Sequence, residues 1–492
     1  MRVVMVAAEC LPFAQAGGLG DVIGSLPIEL SKLGVDVSVL IPRYRSIDLQ
    51  KFGFEAYTVA AGTRVPFGWE ELSYDVHVGS LPGSSVKVFL IGNDRFFDRD
   101  GIYFDPYTGR DYADQADRWI FFNRASIEFL NNEFADADVI HTHDYQTALI
   151  PAYLSRFYRR DGRFAKTGSV YTIHNLGYQG MFPREVIWRA GFDDAEFYPT
   201  SAFEFYGVFN FMKVGIAYAD LITTVSPTYA REIQESKEFG FGLEGLLRER
   251  SSDLIGILNG IDVKAWNPAT DPLIPERFDA SHLRARLGNK RALLGEFGFK
   301  DVNPALPVIA MISRIDVQKG FDLLVNILDY LLEKDLYYVL LGTGNKETES
   351  YLQTVAGRHP GKASIRFAFE SRLAHLTEAG ADIFLMPSKY EPCGLNQMYS
   401  MRYGTVPVVR ATGGLADTVS ELDASSGEGT GFCFYPYELE HFKAAVDRAL
   451  AVWPNRGLWT RLMKNGMKQD FSWGRSARAY VEAYKRVCGG GL

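Results

Sequence analysis

Two cations, Arg314 and Lys319, lie close together in a short polar stretch of the chain. The apolar residues 306–312 before them predict a buried parallel strand, and residues 321–332 after them predict a helix. Open α/β sheets bind ligands where strands end and helices begin, because the first amides of a helix are unpaired and its dipole is positive there. Two fixed cations at such a point predict a doubly charged, phosphate-bearing ligand. A solvated basic loop is the alternative interpretation.

A glycine-rich loop near the N-terminus has the composition of a phosphate or sugar loop. Residues 3–8 predict a strand before it, and residues 23–33 predict a helix after it. Glycine lets the backbone approach a ligand closely, and a carboxylate near a helix start can accept sugar hydroxyls. The candidate binding residues of this loop are Gln15, Gly17, Gly18, Gly20 and Asp21. Tight packing of the strand against the helix would explain the glycines equally well.

A carboxylate, Glu391, follows a third predicted strand, residues 382–387, and a helix is predicted from Leu395 onward. Another predicted strand, residues 406–410, leads into a further polar and glycine-containing loop. The candidate binding residues of these two loops are Cys393, Gly394, Leu395, Thr412, Gly413 and Gly414. For Glu391 alone, an ion pair with Lys389 is the alternative interpretation. Three separate strand–helix loops in one half of the chain therefore carry residues suited to binding.

Two histidines, His141 and His143, alternate along a predicted strand and so share one face of it. No third ligand is evident nearby, so the preferred interpretation of this run, including Asp144, is the lining of a cleft rather than a metal site. The Asp-x-Asp patterns at residues 98–100 and 136–138 match those of metal-dependent sugar transferases, but solvated carboxylates explain them better. A lone histidine such as His174 is, by itself, most often a satisfied interior residue. The sequence therefore predicts no metal site.

The elements that must position these residues alternate between strand-like and helix-like segments, which predicts parallel sheets with helices on both faces. The predicted helices include residues 115–131, 146–159 and 227–235, and the last segment, residues 472–487, is predicted as an amphipathic helix. Residues 365–369 are predicted as a strand of the second half. A length of 492 residues suits two or three domains.

Composition excludes several classes of protein. The formal net charge of −8 argues against a nucleic-acid-binding protein, which would normally carry a basic face. No stretch approaches the roughly 20 apolar residues needed to span a bilayer, and Glu9 and Pro12 interrupt the apolar start that an export signal would need. Four scattered cysteines without a Cys-x-x-Cys pair fit a reducing compartment. The predicted location is the cytoplasm, or the plastid stroma for a plant protein, with no membrane or nucleic-acid partner.

Together these motifs resemble the bacterial glycogen synthase and plant starch synthase family, and the resemblance covers nearly the whole chain. Further matching stretches are residues 141–144, 172–180, 210–213, 224–230, 259–262 and 266–268. Members of this family are retaining glycosyltransferases with two Rossmann-like domains facing across a cleft, the GT-B fold. The resemblance implies an acceptor domain at residues 1–262, a donor domain at residues 263–471, and a C-terminal helix, residues 472–492, that packs back on the first domain.

The resemblance also implies an activity, the transfer of glucose from ADP-glucose to the non-reducing end of an α-1,4-glucan such as glycogen, starch or a maltooligosaccharide. ADP-glucose is then a substrate, and no cofactor is implied. Arg314 and Lys319 would stabilise the leaving diphosphate, while Glu391 and the main-chain carbonyl of His174 would support the transferred sugar. The remaining residues that the resemblance assigns to substrate binding are Asp144 near the acceptor, Asn259, and the amides of Cys393, Gly394 and Leu395.

Three positions depart from the family pattern. Gln15 stands where the family usually has lysine, Lys389 where it usually has arginine, and Glu378 where tyrosine is common. These changes leave two alternatives open. One is a retaining transferase that prefers UDP-glucose or another acceptor, and the other is a weakly active, glucan-binding regulatory paralogue.

Overall fold

A computed structural model describes residues 1–59 and 63–488 of the chain. The chain separates into two compact units. Unit 1 consists of Met1–Val225 and Ala230–Gly260 together with the C-terminal helix that begins at Trp473, and unit 2 consists of Ser226–Tyr229 and Ile261–Ser472. None of the helices in the described residues has the length and apolar character of a membrane-spanning segment.

The strands of unit 1 are short, and those at its centre are buried on both faces. They are β1 (Arg2–Val6), β2 (Asp36–Pro42), β3 (Glu55–Ala56), β4 (Arg64–Phe67), β5 (Glu70–Ser73), β6 (Asp75–Ser80), β7 (Lys87–Gly92), β8 (Phe104–Asp105), β9 (Arg110–Asp111), β10 (Val139–His143), β11 (Gly168–Ile173), β12 (Met181–Phe182), β13 (Glu204–Phe205), β14 (Val208–Asn210), β15 (Leu221–Thr224) and β16 (Leu254–Gly256). Within the described ranges, the main sheet has the order β16-β15-β11-β10-β1-β2-β7-β6-β3.

The helices of the first half connect these strands. They are α1 (Gly18–Lys32), α2 (Asp94–Phe97), α3 (Gln115–Glu133), α4 (Ile150–Tyr153), α5 (Phe211–Tyr218), α6 (Pro227–Glu235), α7 (Lys237–Gly240) and α8 (Glu244–Glu249). The pairs from β16 through to β7 are parallel, as the alternation of strands and helices predicts. The chain runs outward from β1 to β2 on one side, whereas β10 lies on the other side of β1. The order therefore reverses beside β1, which is where open α/β sheets bind ligands.

Two predictions for unit 1 are wrong in detail. The sheet is not wholly parallel, because β6 pairs antiparallel with both β7 and β3, and short hairpins such as β4–β5 occupy the same region. The helix predicted at residues 146–159 is broken into a 3₁₀ turn (Tyr145–Thr147), α4, a π-helical turn (Leu154–Tyr158) and another 3₁₀ turn (Arg159–Asp161). Pro151 sits in the first turn of α4 and lacks the N–H that a continuous helix would use there.

The start of α1 differs from the prediction as well. The helix begins at Gly18 rather than at residue 23, with Gly17 as its N-cap and Asp21 in its first turn. A Cβ atom on Gly20 would lie 2.8 Å from Cγ of Gln15. The glycines therefore allow the preceding loop to pack directly on the helix, and this tertiary contact outweighs the low helix propensity of glycine.

Unit 2 contains a second parallel sheet. Its strands are β17 (Val308–Ile312), β18 (Tyr337–Leu341), β19 (Ala363–Arg366), β20 (Ile383–Met386), β21 (Val406–Arg410) and β22 (Phe432–Phe434). Its helices are α9 (Arg286–Glu296), α10 (Phe321–Leu332), α11 (Lys346–Arg358), α12 (Ser371–Gly380), α13 (Asn396–Arg402), α14 (Gly413–Thr418), α15 (Leu439–Val452) and α16 (Arg456–Met467). The strand order in the described residues is β19-β18-β17-β20-β21-β22, so the order reverses between β17 and β20.

The last helix, α17 (Trp473–Cys488), packs within unit 1. Its Ser476 hydroxyl donates a hydrogen bond to the carbonyl of Leu258 at 2.6 Å, and Tyr484 Oη lies 2.8 Å from Nδ1 of His141. A Cβ atom on Gly168 would lie 2.6 Å from Cγ2 of Val487, so α17 lies close against the start of β11.

Candidate active site

The backbone around Arg314 is held by the loop that follows the neighbouring strand β18. The N–H of Ile315 donates to the carbonyl of Thr343 at 2.9 Å, and the N–H of Asn345 donates to the carbonyl of Ile315 at 2.8 Å. A Cβ atom on Gly342 would lie 1.8 Å from the carbonyl oxygen of Ser313, so only glycine permits this approach. The Arg314 side chain is half exposed, and its Nη1 lies 3.4 Å from Asp316.

Lys319 is brought to the end of β20 by a close backbone contact. Gly320 has a φ of 79°, and a Cβ atom there would lie 2.1 Å from the carbonyl oxygen of Pro387. The Lys319 ammonium donates to Oε2 of Glu391 at 2.6 Å. Ser388 Oγ donates to the same oxygen at 3.1 Å. Lys319 and Glu391, which are 72 positions apart, therefore form one site at the point where the strand order reverses.

Glu391 is only 5% exposed, so this ion pair has lost most of its water. The alternative interpretation, in which Glu391 pairs with Lys389, is wrong, because the partner is Lys319. Removing one member of a buried ion pair is costly, because the charge that remains has neither water nor a partner. A ligand that draws Lys319 away from Glu391 must therefore supply a compensating charge of its own.

The loop after β21 supports the loop that carries Glu391. The N–H of Gly414 donates to the carbonyl of Glu391 at 3.1 Å. Gly413 has a φ of 46°, and a Cβ atom there would lie 1.9 Å from the same carbonyl oxygen, while one on Gly414 would lie 2.1 Å from the carbonyl oxygen of Cys393. Thr412 is the N-cap of α14. Gly413 and Gly414 thus lie against the Glu391 segment, which only residues without a side chain allow, and Thr412 begins the helix that follows.

The segment from Cys393 to Leu395 leads into α13. The Gln397 side-chain amide donates to the carbonyls of Cys393 and Gly394 at 3.1 and 3.0 Å. The hydroxyl of Ser226 donates to the carbonyl of Pro392 at 2.6 Å. Gly394 has a φ of 69°, a conformation that glycine adopts without strain. The carbonyls of this segment are thus used internally, and that of Leu395 accepts the N–H groups of Met398 and Tyr399 in the first turn of α13.

Phe369 is a residue that the sequence interpretation placed wrongly. It was predicted at the end of a strand, but β19 ends at Arg366 and Phe369 is 77% exposed. The parallel strands β17, β18, β19 and β20 end at the same edge of the sheet, so an exposed aromatic ring lies on the edge that carries Arg314 and Glu391. Its exposure is the signal that the sequence alone could not supply.

In unit 1, the glycine-rich loop follows β1, and it is organised by Glu9, a residue that sequence reasoning missed. Glu9 is 2% exposed. Its Oε2 accepts the N–H groups of Ala16 and Gly17 at 2.6 and 2.8 Å, and its Oε1 accepts the hydroxyl of Tyr103. A carboxylate of the chain itself therefore occupies two amides of the loop that was predicted to bind phosphate or sugar. The feature of the sequence that could have indicated a role for Glu9 is that it interrupts an apolar run.

Gln15 and Asp21, two of the predicted binding residues, pair with each other. The Gln15 amide donates to Oδ2 of Asp21 at 2.8 Å and to the carbonyl of Gly17 at 3.4 Å. Gln15 is exposed, and a Cβ atom on Gly18 would meet no atom within 4 Å. The loop thus has an open surface beside Gly18 and a polar Gln15–Asp21 pair on it.

The loops after β10 and β11 meet through Asp144. Asp144 has a φ of 56°, and its Oδ1 accepts the N–H of His174 at 2.8 Å. Burial raises the pKa of Asp144 to about 7, although the hydrogen bond from the His174 amide acts in the opposite direction. Because His174 is fixed through its own amide, its main-chain carbonyl is held at the same edge of the sheet.

The three histidines of this region are in contact with one another. The rings of His141 and His143 lie 4.0 Å apart, and Nδ1 of His143 lies 3.1 Å from Nε2 of His174. Burial lowers the pKa of His141 and that of His174 to about 3, so both rings are neutral at physiological pH. In residues 1–59 and 63–488, no group of three or more His, Cys, Asp or Glu side chains is arranged to hold a metal ion.

Asn259 follows β16, which is parallel to the other central strands of unit 1. It is 6% exposed, and its Oδ1 is buried with no hydrogen-bond partner in the described part of the chain. An unpaired buried carbonyl oxygen is costly, so a ligand or water that donates to it would be favoured. Gln15, Asp144, His174 and Asn259 all follow strands of one parallel set and so lie at one edge of the sheet.

Two departures from the family pattern have different surroundings. Glu378 is 1% exposed within α12, and its Oε2 accepts the Ser400 hydroxyl at 2.7 Å. Burial raises the pKa of Glu378 to about 8, so the carboxyl group is mostly protonated at neutral pH. Glu378 is thus an interior residue. Lys389 lies nearer the site, where its N–H donates to the carbonyl of Gln318 at 2.8 Å.

Comparisons with known proteins agree with this fold along the whole chain. Residues 2–249 match the family model for the starch synthase catalytic domain, and residues 297–468 match that for glycosyl transferases group 1. A glycogen synthase from Thermotoga petrophila is 47% identical over 490 residues, covering 99% of both chains. Another, from Koribacter versatilis, is 42% identical and covers 99% of this chain and 98% of its own.

A solved structure agrees as well. The catalytic domain of starch synthase IV from Arabidopsis thaliana, bound to ADP and acarbose, is 31% identical, with a TM-score of 0.88 and 99% of both chains covered. The chain therefore belongs to the glycogen synthase and starch synthase family of glycosyltransferases with the GT-B fold. The resemblance inferred from the motifs is confirmed, and so is the fold class.

Proposed function

We propose that this enzyme transfers glucose from ADP-glucose to the non-reducing 4-hydroxyl of an α-1,4-glucan, with retention of the anomeric configuration. The observation that carries the proposal is the Lys319–Glu391 ion pair beside Arg314, at the reversal point of the unit 2 sheet. It combines a cation for a leaving diphosphate with a carboxylate for an electron-poor sugar.

The main barrier to such a transfer is the cleavage of the bond between the sugar and the diphosphate. Negative charge grows on the diphosphate in the transition state, so cations held in place are worth more there than in the ground state. Arg314 and Lys319 are the side chains proposed for this task. Lys319 shares its charge with Glu391 in the free protein, and a phosphate oxygen would compete for the same ammonium group.

The sugar develops positive charge as the bond breaks, and the proposal assigns two oxygen groups to it. Glu391 supplies a nearly buried carboxylate, and His174 supplies a main-chain carbonyl whose position is fixed by Asp144. Because the His174 ring is neutral, it adds no positive charge that would oppose the sugar. The proton of the acceptor hydroxyl would pass to the leaving phosphate, so no separate base is needed on the opposite face.

The choice of ADP rather than UDP rests on family membership and on the relative from Arabidopsis thaliana, whose solved structure contains ADP. The exposed Phe369 supplies a ring on which a nucleotide base can stack. A cytoplasmic location is also part of the proposal, and it is compatible with Cys10, Cys393, Cys433 and Cys488 forming no disulfide in the described residues.

The test is a direct comparison of donors and acceptors. Labelled ADP-glucose and UDP-glucose are supplied at equal concentration, each with glycogen, with a maltooligosaccharide and without acceptor. We expect ADP-glucose to be the better donor and label to enter the glucan only when an acceptor is present. Faster transfer from UDP-glucose would replace the proposed donor, and no transfer from either would favour the regulatory paralogue.

We expect Gln15→Lys to raise kcat/KM with ADP-glucose by about tenfold, which corresponds to about 1.4 kcal/mol. The resemblance places a lysine here, and an ionic hydrogen bond to phosphate is roughly twice as strong as a neutral one. The measurement is initial rate against donor concentration at low and high salt, since screening should shrink the gain.

Gln15→Met is the matched control for this substitution, because it keeps the length of the side chain without adding charge. It should not raise kcat/KM. Asp21 will also attract the new ammonium group, because it already accepts a hydrogen bond from Gln15. If Gln15→Lys leaves kcat/KM unchanged or lowers it, Gln15 belongs to the working site of this enzyme.

Activity is expected to survive chelation. Arg314, Lys319 and the helix starts supply positive charge of the kind that a metal supplies in other transferases. Initial rates with EDTA should match those without it after extensive dialysis. Loss of activity that Mg²⁺ or Mn²⁺ restores would contradict this expectation and would revive the Asp-x-Asp interpretation.

A further inference from the structure

Unit 1 exposes a pair of tryptophan rings. Trp69 is 94% exposed and Trp188 is 40% exposed. Their ring centroids lie 5.3 Å apart with an angle of 33° between the planes. Exposed tryptophan rings present apolar area to water. A ligand that covers two such rings side by side therefore binds with a favourable free energy.

The tight β4–β5 hairpin holds this pair in place. Trp69 lies in the turn of the hairpin, whose Val65 and Phe67 side chains are buried. Gly68 has a φ of 60°, and a Cβ atom there would lie 2.5 Å from Cζ3 of Trp188. The Trp188 ring is therefore packed on the backbone of the turn. A preformed pair of this kind has little conformational entropy left to lose on binding.

A groove of the same unit is lined in part by Arg189, whose Cγ would lie 3.3 Å from a Cβ atom on Gly68 in the hairpin turn. It has a volume of about 580 Å³ and is lined by residues from two segments, 111–117 and 181–189. The lining combines the carboxylates of Asp111 and Glu185 with the apolar side chains of Met181 and Phe182. Its volume lies within the range of about 300–1,000 Å³ that is usual for small-molecule sites.

The arginine in the lining of the groove, Arg189, is hydrogen-bonded to a carboxylate of the chain itself. The second oxygen of that carboxylate has no such partner in the described residues. Arg189 Nη1 donates to Oδ2 of Asp117 at 2.8 Å. Asp117 is 8% exposed, and its Oδ1 has no hydrogen-bond partner in residues 1–59 and 63–488. The groove thus offers hydrogen-bond acceptors and apolar surface, a combination that suits a neutral ligand rich in hydroxyl groups better than an anion.

We propose that Trp69, Trp188 and this groove form an auxiliary binding site for an α-1,4-glucan chain. The choice of ligand rests on the proposed function. Sugar rings have apolar faces that stack on tryptophan, and their hydroxyls donate to carboxylates. The site retains polymeric acceptors on the enzyme and so raises the local concentration of chain ends.

The test compares Trp69→Ala with the unaltered protein by electrophoresis in native gels that contain glycogen, an assay that needs no donor. We expect the apparent dissociation constant for glycogen to rise about tenfold, and kcat with maltotriose as acceptor to stay unchanged. Trp69→Phe should retain part of the affinity. Tyr351→Ala, which removes a 43% exposed ring in unit 2, is the matched control and should leave retention unchanged.

Unchanged retention of Trp69→Ala would overturn the proposal. A fall in kcat with maltotriose would also overturn it, because Trp69 would then act in the catalytic site. A changed sedimentation coefficient without a change in retention would assign the tryptophans to contacts between copies of the chain. If glycogen retention depends on Trp69 but ADP-glucose is not a donor, the auxiliary site stands and the proposed function fails.

Discussion

Lys319→Ala is expected to lower kcat by about 100-fold or more. The substitution removes a cation proposed to act on the leaving diphosphate, and loss of one such preorganised group costs about 100-fold to 1,000-fold in other enzymes. It also leaves the Glu391 carboxylate buried without its ammonium partner, which lies at 2.6 Å in the intact protein. The measurement is the steady-state rate with saturating ADP-glucose and glycogen, together with a melting curve.

Arg314→Ala is the comparison for this variant. Arg314 is half exposed, so its removal should leave stability nearly unchanged while kcat falls at least tenfold. Neither substitution should weaken acceptor binding as strongly as it lowers kcat. If Lys319→Ala turned over at the rate of the unaltered protein, Lys319 would have no part in the mechanism.

Glu391→Gln is expected to lower kcat by a similar factor, about 100-fold, while the protein stays folded. Glutamine has nearly the same shape and can still accept the hydrogen bond from Ser388, but it lacks the negative charge proposed to stabilise the electron-poor sugar. Lys319 would lose its charged partner and become freer to bind phosphate. The donor KM should therefore fall or stay constant, which kinetics over a range of ADP-glucose concentrations will show.

The double variant Lys319→Ala/Glu391→Gln distinguishes the contribution of the ion pair from the separate contributions of Lys319 and Glu391. Because the two groups touch, their effects on stability should not add, and the double variant should be more stable than Lys319→Ala alone. Ser388→Ala is a milder control that removes only the neutral hydrogen bond to Glu391. Additive stability effects would contradict the ion pair as the source of the coupling.

The elements around the site were predictable because their signals are local. The helix predicted at residues 321–332 is α10, and the strand predicted at residues 406–410 is β21. A strand buried on both faces is a short apolar run, and an amphipathic helix repeats its apolar positions, so both patterns can be seen within one segment. The order of strand and helix then indicated the edge at which Arg314, Lys319 and Glu391 had to lie.

Longer helices and hairpins were less predictable because contacts distant in sequence decide them. Glycine has a low helix propensity, so the sequence predicted the start of α1 after the glycine run. In the structure the helix begins at Gly18, with Gly17 as its N-cap, because the glycines pack against Gln15 and the Glu9 carboxylate accepts the N–H of Gly17. The antiparallel strand β6 has a single buried residue, Val76, among five partly exposed ones, so it lacks the alternation that would distinguish a strand from a loop.

The sequence by itself determined the chemical identity of the site, since two cations, a carboxylate and the supporting glycines are visible in their loops. Only the tertiary structure decided which of these groups pair. Lys319 pairs with Glu391, 72 positions away, and Glu9 accepts two amides of the glycine-rich loop. Trp69, in its hairpin turn, contacts Trp188 from a distant segment. The physical reason is that an ion pair, a hydrogen bond or a ring contact depends on distances of a few ångströms between segments. The order of residues along one segment does not specify those distances.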